Sequence, residues 1–223
     1  MIYYNYSPAQ LEAKAEELLK QFDSERLTKT KPIDVYAVIE KCLDVPYDWK
    51  YLTPDQSVLG MTAFNDGYIW VWDTPYYQEG MKPHKLALEK GTIVIDSTLT
   101  EDSNRGRENF TVMHEVFHQV LHKTCFRRES PNYIHETTNV AINGKKKLVT
   151  ALDIIEYQAN ACAAAFLMPK DLTTSVFKKM YSGSERLYST HPLAKKIISD
   201  MAKEFNVSNT AMKYRLQNLS LIK

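Results

Sequence analysis

The sequence predicts an α+β fold, in which a small antiparallel β-sheet packs on helices and a pair of helices follows at the C-terminal end. Three observations predict it. Apolar residues recur at the spacing of an amphipathic helix in several stretches of the chain. Between residues 58 and 96, short runs rich in β-branched and aromatic residues alternate with turn signals. Hydrophobic residues make up 44% and charged residues 25% of the 223 residues, so the chain can bury a core as one large domain.

Two helices are predicted before the first strand. Ser7 is a good N-cap residue, Pro8 suits the first helical position, and apolar residues follow at helical spacing as far as Phe22. A new element is predicted to begin after residues 32–34. The apolar positions that follow, up to Leu43, predict a second amphipathic helix.

The β region is predicted to begin with a hairpin. The runs VLGMTAF (58–64) and YIWVW (68–72) flank the Asn-Asp-Gly sequence at 65–67, a turn in which the glycine can take a positive φ. The run TIVID (92–96) predicts a further short strand. Since an isolated hairpin is marginally stable, these strands are expected to pack on a helix.

Two central helices are predicted, at 109–123 and 150–168, because each has a stripe of apolar residues at helical spacing. Pro169 disfavours helix at the residue before it and so ends the second of them, and Asp171 is expected to cap the next helix. The polar segment 124–149 lacks periodicity and is predicted to be a loop or an irregular hairpin beside a cleft.

A pair of helices is predicted at the C-terminal end, at 192–204 and 209–218, with Ser208 as the N-cap of the second. The pair is similar to a helix-turn-helix. The expected organisation is therefore a main domain at 1–185 and a helical appendage at 186–223 that packs on it.

Net charge and cysteine count limit the classes of protein. A formal net charge of +1 provides no global field that would draw the chain to nucleic acid or to an anionic membrane. The start has no basic stretch followed by an apolar one, and no run of 18 apolar residues occurs, so neither a signal peptide nor a membrane span is expected. Cys42, Cys125 and Cys162 are far apart and odd in number, which favours a reducing cytoplasm over a disulfide framework.

The strongest chemical signal is the sequence His114-Glu115-Val116-Phe117-His118. Side chains four apart on an α-helix differ by about 40° in direction and roughly 6 Å in rise. His114 and His118 can therefore bind one metal ion, and Glu115 beside them can reach a water on that ion. Zinc lowers the pKa of such a water to about 7, and Glu115 is predicted to be the general base that takes its proton.

A catalytic zinc site needs a third protein ligand, and the residues alone leave several candidates. His122 is one turn further along the same helix, about 6 Å along its axis. It is interpreted as a structural residue or as one that supports a metal ligand from behind. His135 lies in the predicted loop. Glu156 is favoured, because an antiparallel neighbouring helix would bring it to the metal. Asn160 lies on the same face, where it can hydrogen-bond a ligand imidazole.

The segments ENFTVMHEVFHQVLH (108–122) and IEYQANACAAAFLMP (155–169) resemble the paired helix motifs of the ImmA/IrrE family of metallo-endopeptidases. That family has Phe-Thr-x-x-His-Glu-x-x-His on one helix and Glu-x-x-Ala-Asn/Asp on the next, before a closing Leu-Met-Pro. Arg107, the Pro-Ile-Asp-Val sequence at 32–35 and the C-terminal helix pair extend the resemblance over most of the chain. One departure is Phe117, which stands where the family usually has glycine and is expected to face the core.

The resemblance implies a zincin-like fold of the gluzincin kind and assigns four residues. His114, His118 and Glu156 would be the zinc ligands, and Glu115 the general base. Zn²⁺ is the expected cofactor, and Mn²⁺ or another divalent ion is compatible with the same ligands.

Two parts of this mechanism stay open in the sequence. The oxyanion needs a further hydrogen-bond donor, for which Tyr157, Tyr133 and His135 are candidates. An edge strand from the 58–96 region is a candidate for holding the substrate extended by strand addition.

The resemblance also implies a protein substrate and a biological role. Family members often act as antirepressors that cleave a helix-turn-helix repressor encoded beside them in prophages, other mobile elements or stress operons. The alternative hypothesis is a regulatory module with a vestigial or structural metal site, whose C-terminal helices bind DNA or a partner. In that case the side chains facing the groove would be Ser208, Asn209, Thr210 and Lys213, and Arg215 with Lys203 would meet phosphates. The mixed charge of the pair disfavours DNA binding.

Overall fold

The protein is described by a computed structural model, which covers residues 4–126 and 150–223 and the backbone of 134–138. The helices are α1 (Pro8–Asp23), α2 (Val35–Val38), α3 (Arg105–His122), α4 (Ala151–Leu167), α5 (Lys170–Met180), α6 (Pro192–Phe205) and α7 (Asn209–Asn218). The strands are β1 (Tyr47–Lys50), β2 (Val58–Ala63), β3 (Gly67–Val71), β4 (His84–Leu88), β5 (Ile93–Asp96) and β6 (Ile134–Thr138).

The strands form two sheets, and α3 packs on the larger one. The four-stranded sheet has the order β1-β5-β2-β6, and the two-stranded sheet pairs β3 with β4. This arrangement confirms the predicted α+β fold of a small sheet packed on helices. The pairings are antiparallel except that of β1 with β5, which makes the larger sheet mixed.

The predicted hairpin between 58–64 and 68–72 is wrong, because its two strands belong to different sheets. β2 pairs with β5 and β6, whereas β3 pairs with β4. Gly67 opens β3 and does not have the positive φ that the predicted turn requires. The side chain of Asp66 instead accepts a hydrogen bond from the backbone N–H of Lys90 at 2.7 Å. Long-range pairing of each strand therefore prevails over the local turn signal.

Strand β2 is buried on both faces and carries a bulge. The register shifts between Val58 and Gly60, which brings Val58 to the same face as Met61 and Ala63. These three side chains share a core cluster with five others, namely Leu52, Ile69, Val71, Leu88 and Val94. Gly60 and Thr62 face the other way, towards α3.

The two central helices lie close to their predicted positions. Helix α3 begins at Arg105, four residues before the predicted start, and α4 matches the predicted 150–168 to within a residue at each end. Strand β6 falls in the segment predicted to be a loop or an irregular hairpin, and it pairs with β2. The rest of that segment, 127–133 and 139–149, lies outside the described residues.

The ends of the helices follow the sequence in two cases and depart from it in two. Ser7 forms a capping box at the start of α1, and the hydroxyl of Ser208 caps α7, as predicted. Helix α5 starts directly after Pro169 without a side-chain cap, so Asp171 lies in the first turn and is not the N-cap. The second predicted helix is only one α-helical turn, which continues as a π-helical turn at Ile39–Leu43.

Contacts between Cα atoms divide the chain into two compact units. The first comprises Met1–Asn5 and Val35–Asn160, and the second comprises Tyr6–Asp34 and Ala161–Lys223. The expected boundary after residue 185 falls inside the second unit, and a domain division at that position stays a prediction. Within the part of the chain that the structure describes, no helix has both the length and the apolar character needed to cross a bilayer.

Candidate metal centre

Helix α3 presents two histidines from one face, in the interior of the first unit. His114 and His118 lie one turn apart, and their exposed fractions are 2% and 0%. Phe117 is also fully buried, as expected for a residue on the core side of the helix. Buried imidazoles need hydrogen-bond or metal partners, because an unsatisfied polar group in the interior costs free energy.

Glu156 of helix α4 meets these two histidines. Its carboxylate oxygens lie 3.2 Å from Nε2 of His114 and 3.4 Å from Nε2 of His118. The two Nε2 atoms are themselves 2.8 Å apart. One ligand atom from each of the three residues therefore lies within 4.8 Å of the others. The structure brings together the three residues that the sequence predicts as ligands.

The tautomer of His114 is set by Asn160, one turn after Glu156 on α4. Nδ1 of His114 lies 3.0 Å from Oδ1 of Asn160. An amide oxygen only accepts hydrogen bonds, so Nδ1 carries the ring proton and a neutral His114 directs a lone pair at Nε2 towards Glu156. Asn160 thus makes the contact that was expected of it.

The carboxylates favour a positive charge in this cluster. Burial of His114 lowers its pKa, but the hydrogen bond and charge of Glu156, together with the charge of Glu115, outweigh this effect and raise the pKa above its ordinary value. Nitrogen lone pairs and carboxylate oxygens at these separations repel one another unless a proton or a cation lies among them. Two imidazoles and one carboxylate are a donor set that holds zinc in peptidases. The residues present therefore fit a divalent metal.

His122 lies behind the three converging residues. It is 1% exposed, and its Nδ1 is 3.0 Å from Nδ1 of His118, the ring nitrogen on the far side from Glu156. Its Nε2 is 3.0 Å from Oε1 of Gln158. These contacts place His122 against a predicted ligand and agree with the two roles expected of it, a structural one or support of that ligand.

Glu115 is fully buried and is held by strand β2. The hydroxyl of Thr62 donates to Oε2 of Glu115 at 2.7 Å. Gly60 lies on the same face of the strand, and a Cβ at that position would come 2.9 Å from Cγ2 of Thr111 and 3.0 Å from Oε1 of Glu115. The strand and the helix are thus as close as a glycine permits.

Sequence reasoning missed Gly60, Thr62 and Gln158. Gly60 had a usable signal, because a glycine inside a strand pattern often marks a close approach of another segment. For Thr62 and Gln158 the sequence contained no such signal. Their partners in this site, Glu115 and His122, are 53 and 36 residues away in the chain, and only folding reveals such pairs.

The remaining sequence candidates near the site stay predictions. Tyr157 follows Glu156 and is 41% exposed. Tyr133 and the side chain of His135 lie outside the described residues. Strands β2 and β5 are internal to the four-stranded sheet, whereas β3 and β4, in the same 58–96 region, form the two-stranded sheet. Among the strands that the structure describes, β6 is the outer one beside β2.

A cavity of about 670 Å³ lies on the opposite face of β2 from Glu115. Its lining includes Met61, Trp70, Trp72 and Lys82. Because Met61 lines the cavity while the next side chain in the strand bonds Glu115, the strand separates this cavity from the histidine cluster.

The C-terminal helix pair, in the second unit, does not present Arg215 to solvent. Arg215 is 4% exposed, and its guanidinium donates to both carboxylate oxygens of Glu12 at 2.5 and 2.8 Å. Its Nε donates to the carbonyl oxygen of Met168 at 2.9 Å. This burial disfavours the part of the DNA-binding alternative in which Arg215 meets phosphates, and the alternative itself stays a prediction.

A helix with His-Glu-x-x-His, a carboxylate from a second helix and an adjoining antiparallel strand are together typical of metallopeptidases. Residues 74–217 match the family model of the IrrE N-terminal-like domain, Peptidase M78. The match covers more than half of the chain and includes both α3 and α4, and the chain belongs to this peptidase family. This confirms the resemblance found in the sequence. No curated protein matches the chain.

Proposed function

We propose that this protein is a zinc-dependent endopeptidase, in which His114, His118 and Glu156 bind Zn²⁺ and Glu115 is the general base. The observation that carries the proposal is the convergence of the three side chains within 4.8 Å. Membership of a peptidase family supports the hydrolysis of a peptide bond. Mn²⁺ or another divalent ion is compatible with the same donors.

The proposed chemistry divides between the metal and Glu115. Bound zinc supplies a Lewis acid for the scissile carbonyl and lowers the pKa of the attacking water. Glu115 accepts the proton of that water and later delivers it to the leaving nitrogen. The bond from Thr62 to Oε2 restricts rotation of the carboxylate, so that its position is set before substrate arrives.

The proposed substrate is a helix-turn-helix transcriptional repressor encoded beside this protein in a prophage, another mobile element or a stress operon. Cleavage of that repressor would make the protein an antirepressor. The family resemblance supports this role. Among the described strands β6 is the outer one beside β2, which supports binding of an extended peptide by strand addition. We place the activity in the cytoplasm, because Cys42, Cys125 and Cys162 are all free thiols.

The test is cleavage of the neighbouring repressor by purified protein that carries one equivalent of zinc. Glu115→Gln is the matched variant, since an amide oxygen can still accept from Thr62 but cannot act as the base. We expect cleavage at one site by the wild type and a rate at least about 100-fold lower in the variant. Zinc-loaded wild type that leaves the repressor intact contradicts the proposed substrate. Failure to cleave an unfolded protein as well contradicts the peptidase activity.

The competing hypothesis is a regulatory module with a structural metal site. Burial of Arg215 against Glu12 counts against its DNA-binding form, because a paired guanidinium cannot also neutralise a phosphate. A gel shift with DNA from the same operon tests it. Sequence-specific binding that survives moderate salt, together with no proteolysis, would favour this hypothesis over the peptidase.

A further inference from the structure

A chain of hydrogen bonds runs from the back of the His118 ring to the backbone near the start of the protein. Nδ1 of His118 lies 3.0 Å from Nδ1 of His122, and Nε2 of His122 lies 3.0 Å from Oε1 of Gln158. Nε2 of Gln158 donates to the carbonyl oxygen of Tyr4 at 2.7 Å. The two histidines and the glutamine are at most 1% exposed, so water does not compete for the contacts among these three side chains. The bond to Tyr4 is part-buried.

The direction of this chain follows from the Gln158 amide. Its NH₂ group is directed to the Tyr4 carbonyl, which can only accept, so its oxygen faces His122. Nε2 of His122 must then carry a proton. A neutral imidazole has one ring proton, so Nδ1 of His122 is an acceptor and the facing Nδ1 of His118 is the donor. His118 consequently directs a lone pair at Nε2 towards Glu156.

We propose that His122 and Gln158 are positioning residues that hold His118 in the tautomer able to bind a metal through Nε2. This inference rests on the proposed zinc site. If these hydrogen bonds ran in the opposite direction, the ring proton of His118 would lie on Nε2. That atom is 2.8 Å from Nε2 of His114 and 3.4 Å from Glu156. That tautomer has no lone pair for a metal.

The two ligand histidines are thus oriented by different means. Asn160 on α4 accepts directly from His114, whereas His118 depends on a second histidine of its own helix and on an amide two residues after Glu156. Because these groups are buried, replacing one of them removes a hydrogen-bond partner from its neighbour in the interior, where such a loss is costly. The residue affected is His118, the proposed metal ligand at the end of this series of hydrogen bonds.

The test is the affinity for Zn²⁺, measured by competition with a chromophoric chelator, in a matched pair of His122 variants. Asparagine and leucine have similar shapes, but only asparagine places an acceptor near the former Nδ1. We expect His122→Leu to weaken zinc binding about 10- to 100-fold and His122→Asn to bind nearly as tightly as the wild type. Gln158→Leu should weaken binding about tenfold, because His122 loses the acceptor that sets its tautomer.

Two controls separate positioning from folding. The exposed His84→Leu variant should bind zinc like the wild type, and thermal unfolding monitored by circular dichroism identifies any variant that does not fold. Equal zinc affinity in folded His122→Leu and wild type overturns the inference, as does equal weakening by leucine and asparagine, which would indicate packing alone. If the wild type itself binds no zinc, the proposed function fails first, so the two failures are distinguishable.

Discussion

At the scale of the residue, single hydrogen bonds decide which atoms of the proposed centre are available for chemistry. Glu115 is the clearest case, because one of its carboxylate oxygens accepts from Thr62 on the neighbouring strand. Both residues are fully buried, so this bond is not exchanged with water. Its contribution is therefore measurable by removing the hydroxyl alone.

Replacing Thr62 with valine removes the hydroxyl and keeps the shape of the side chain. We expect kcat for peptide hydrolysis to fall by about 10- to 100-fold, because a hydrogen bond to a charged group contributes about 1.5–3 kcal/mol. KM should change little, since Thr62 holds the base and not the substrate. Steady-state kinetics with a peptide substrate that spans the cleaved bond provides the measurement.

Thr62→Ser serves as the control, because it keeps the donor and loses only a methyl group. It should recover most of the wild-type kcat. Equal losses in the serine and valine variants would mean that the methyl contact matters and the hydrogen bond does not. Zinc content should stay at the wild-type level in both variants.

Gly60 is required by the close packing of β2 on α3. A methyl group there would contact Thr111 at 2.9 Å and Glu115 at 3.0 Å, so Gly60→Ala forces the strand and the helix apart. We expect the free energy of unfolding to fall by about 1–3 kcal/mol, as in other overpacked cores. Urea unfolding followed by tryptophan fluorescence measures it, since Trp49, Trp70 and Trp72 all lie in the first unit.

Thr111→Ser tests the cause of this loss, because it removes the methyl group that the new Cβ would meet. In the Gly60→Ala background it should recover part of the stability. Strictly additive losses in the double variant would place the strain elsewhere.

At the scale of the element, an ion pair between the buried Arg215 and the half-buried Glu12 joins the first and last helices of the second unit. Arg215 of α7 pairs with Glu12 of α1 and also bonds the carbonyl of Met168 at the end of α4. The sequence places these helices correctly, but it does not indicate that Arg215 turns inward.

Glu12→Gln leaves the buried guanidinium without its counter-charge. We expect the free energy of unfolding to fall by about 3 kcal/mol, because an uncompensated buried charge is costly. Circular dichroism suits the measurement, since the second unit contains no tryptophan. The double variant with Arg215→Met should be more stable than the sum of the single losses predicts, and simple additivity would contradict the pairing.

At the scale of the whole molecule, the proposed site joins two helices that are separated in the chain by the 124–149 segment. Ligands from α3 and α4 converge only in the folded state, so a metal that binds them stabilises that state.

Zinc should therefore raise the midpoint of thermal unfolding of the first unit. At a free concentration about 100 times its Kd the stabilisation is about 2.7 kcal/mol. Tryptophan fluorescence in the presence of zinc or a chelator provides the measurement. His118→Ala and Glu156→Ala should lose the shift. A full shift in Glu156→Ala would exclude this carboxylate as the third ligand.

Much of the fold was predictable because its signals are local. Helical periodicity located α3 and α4 to within a few residues, and Ser7 and Ser208 marked helix starts through their own hydroxyl groups. The spacing of His114 and His118 placed both imidazoles on one face, since that geometry is intrinsic to an α-helix. Glu156 needed the resemblance as well, because spacing alone does not bring two helices together.

The sequence by itself determined the positions of the two central helices and of the C-terminal pair, the His-Glu-x-x-His signature and the family to which they belong. Tertiary structure alone decided the strand pairing. Despite the turn signal at 65–67, the strands on either side of it pair in two separate sheets. It also decided the groups that hold the site, Thr62 on Glu115 and Gln158 on His122. The physical reason is the same throughout: local conformation depends on neighbours in the chain, whereas pairing and buried hydrogen bonds depend on segments that meet only when the core forms.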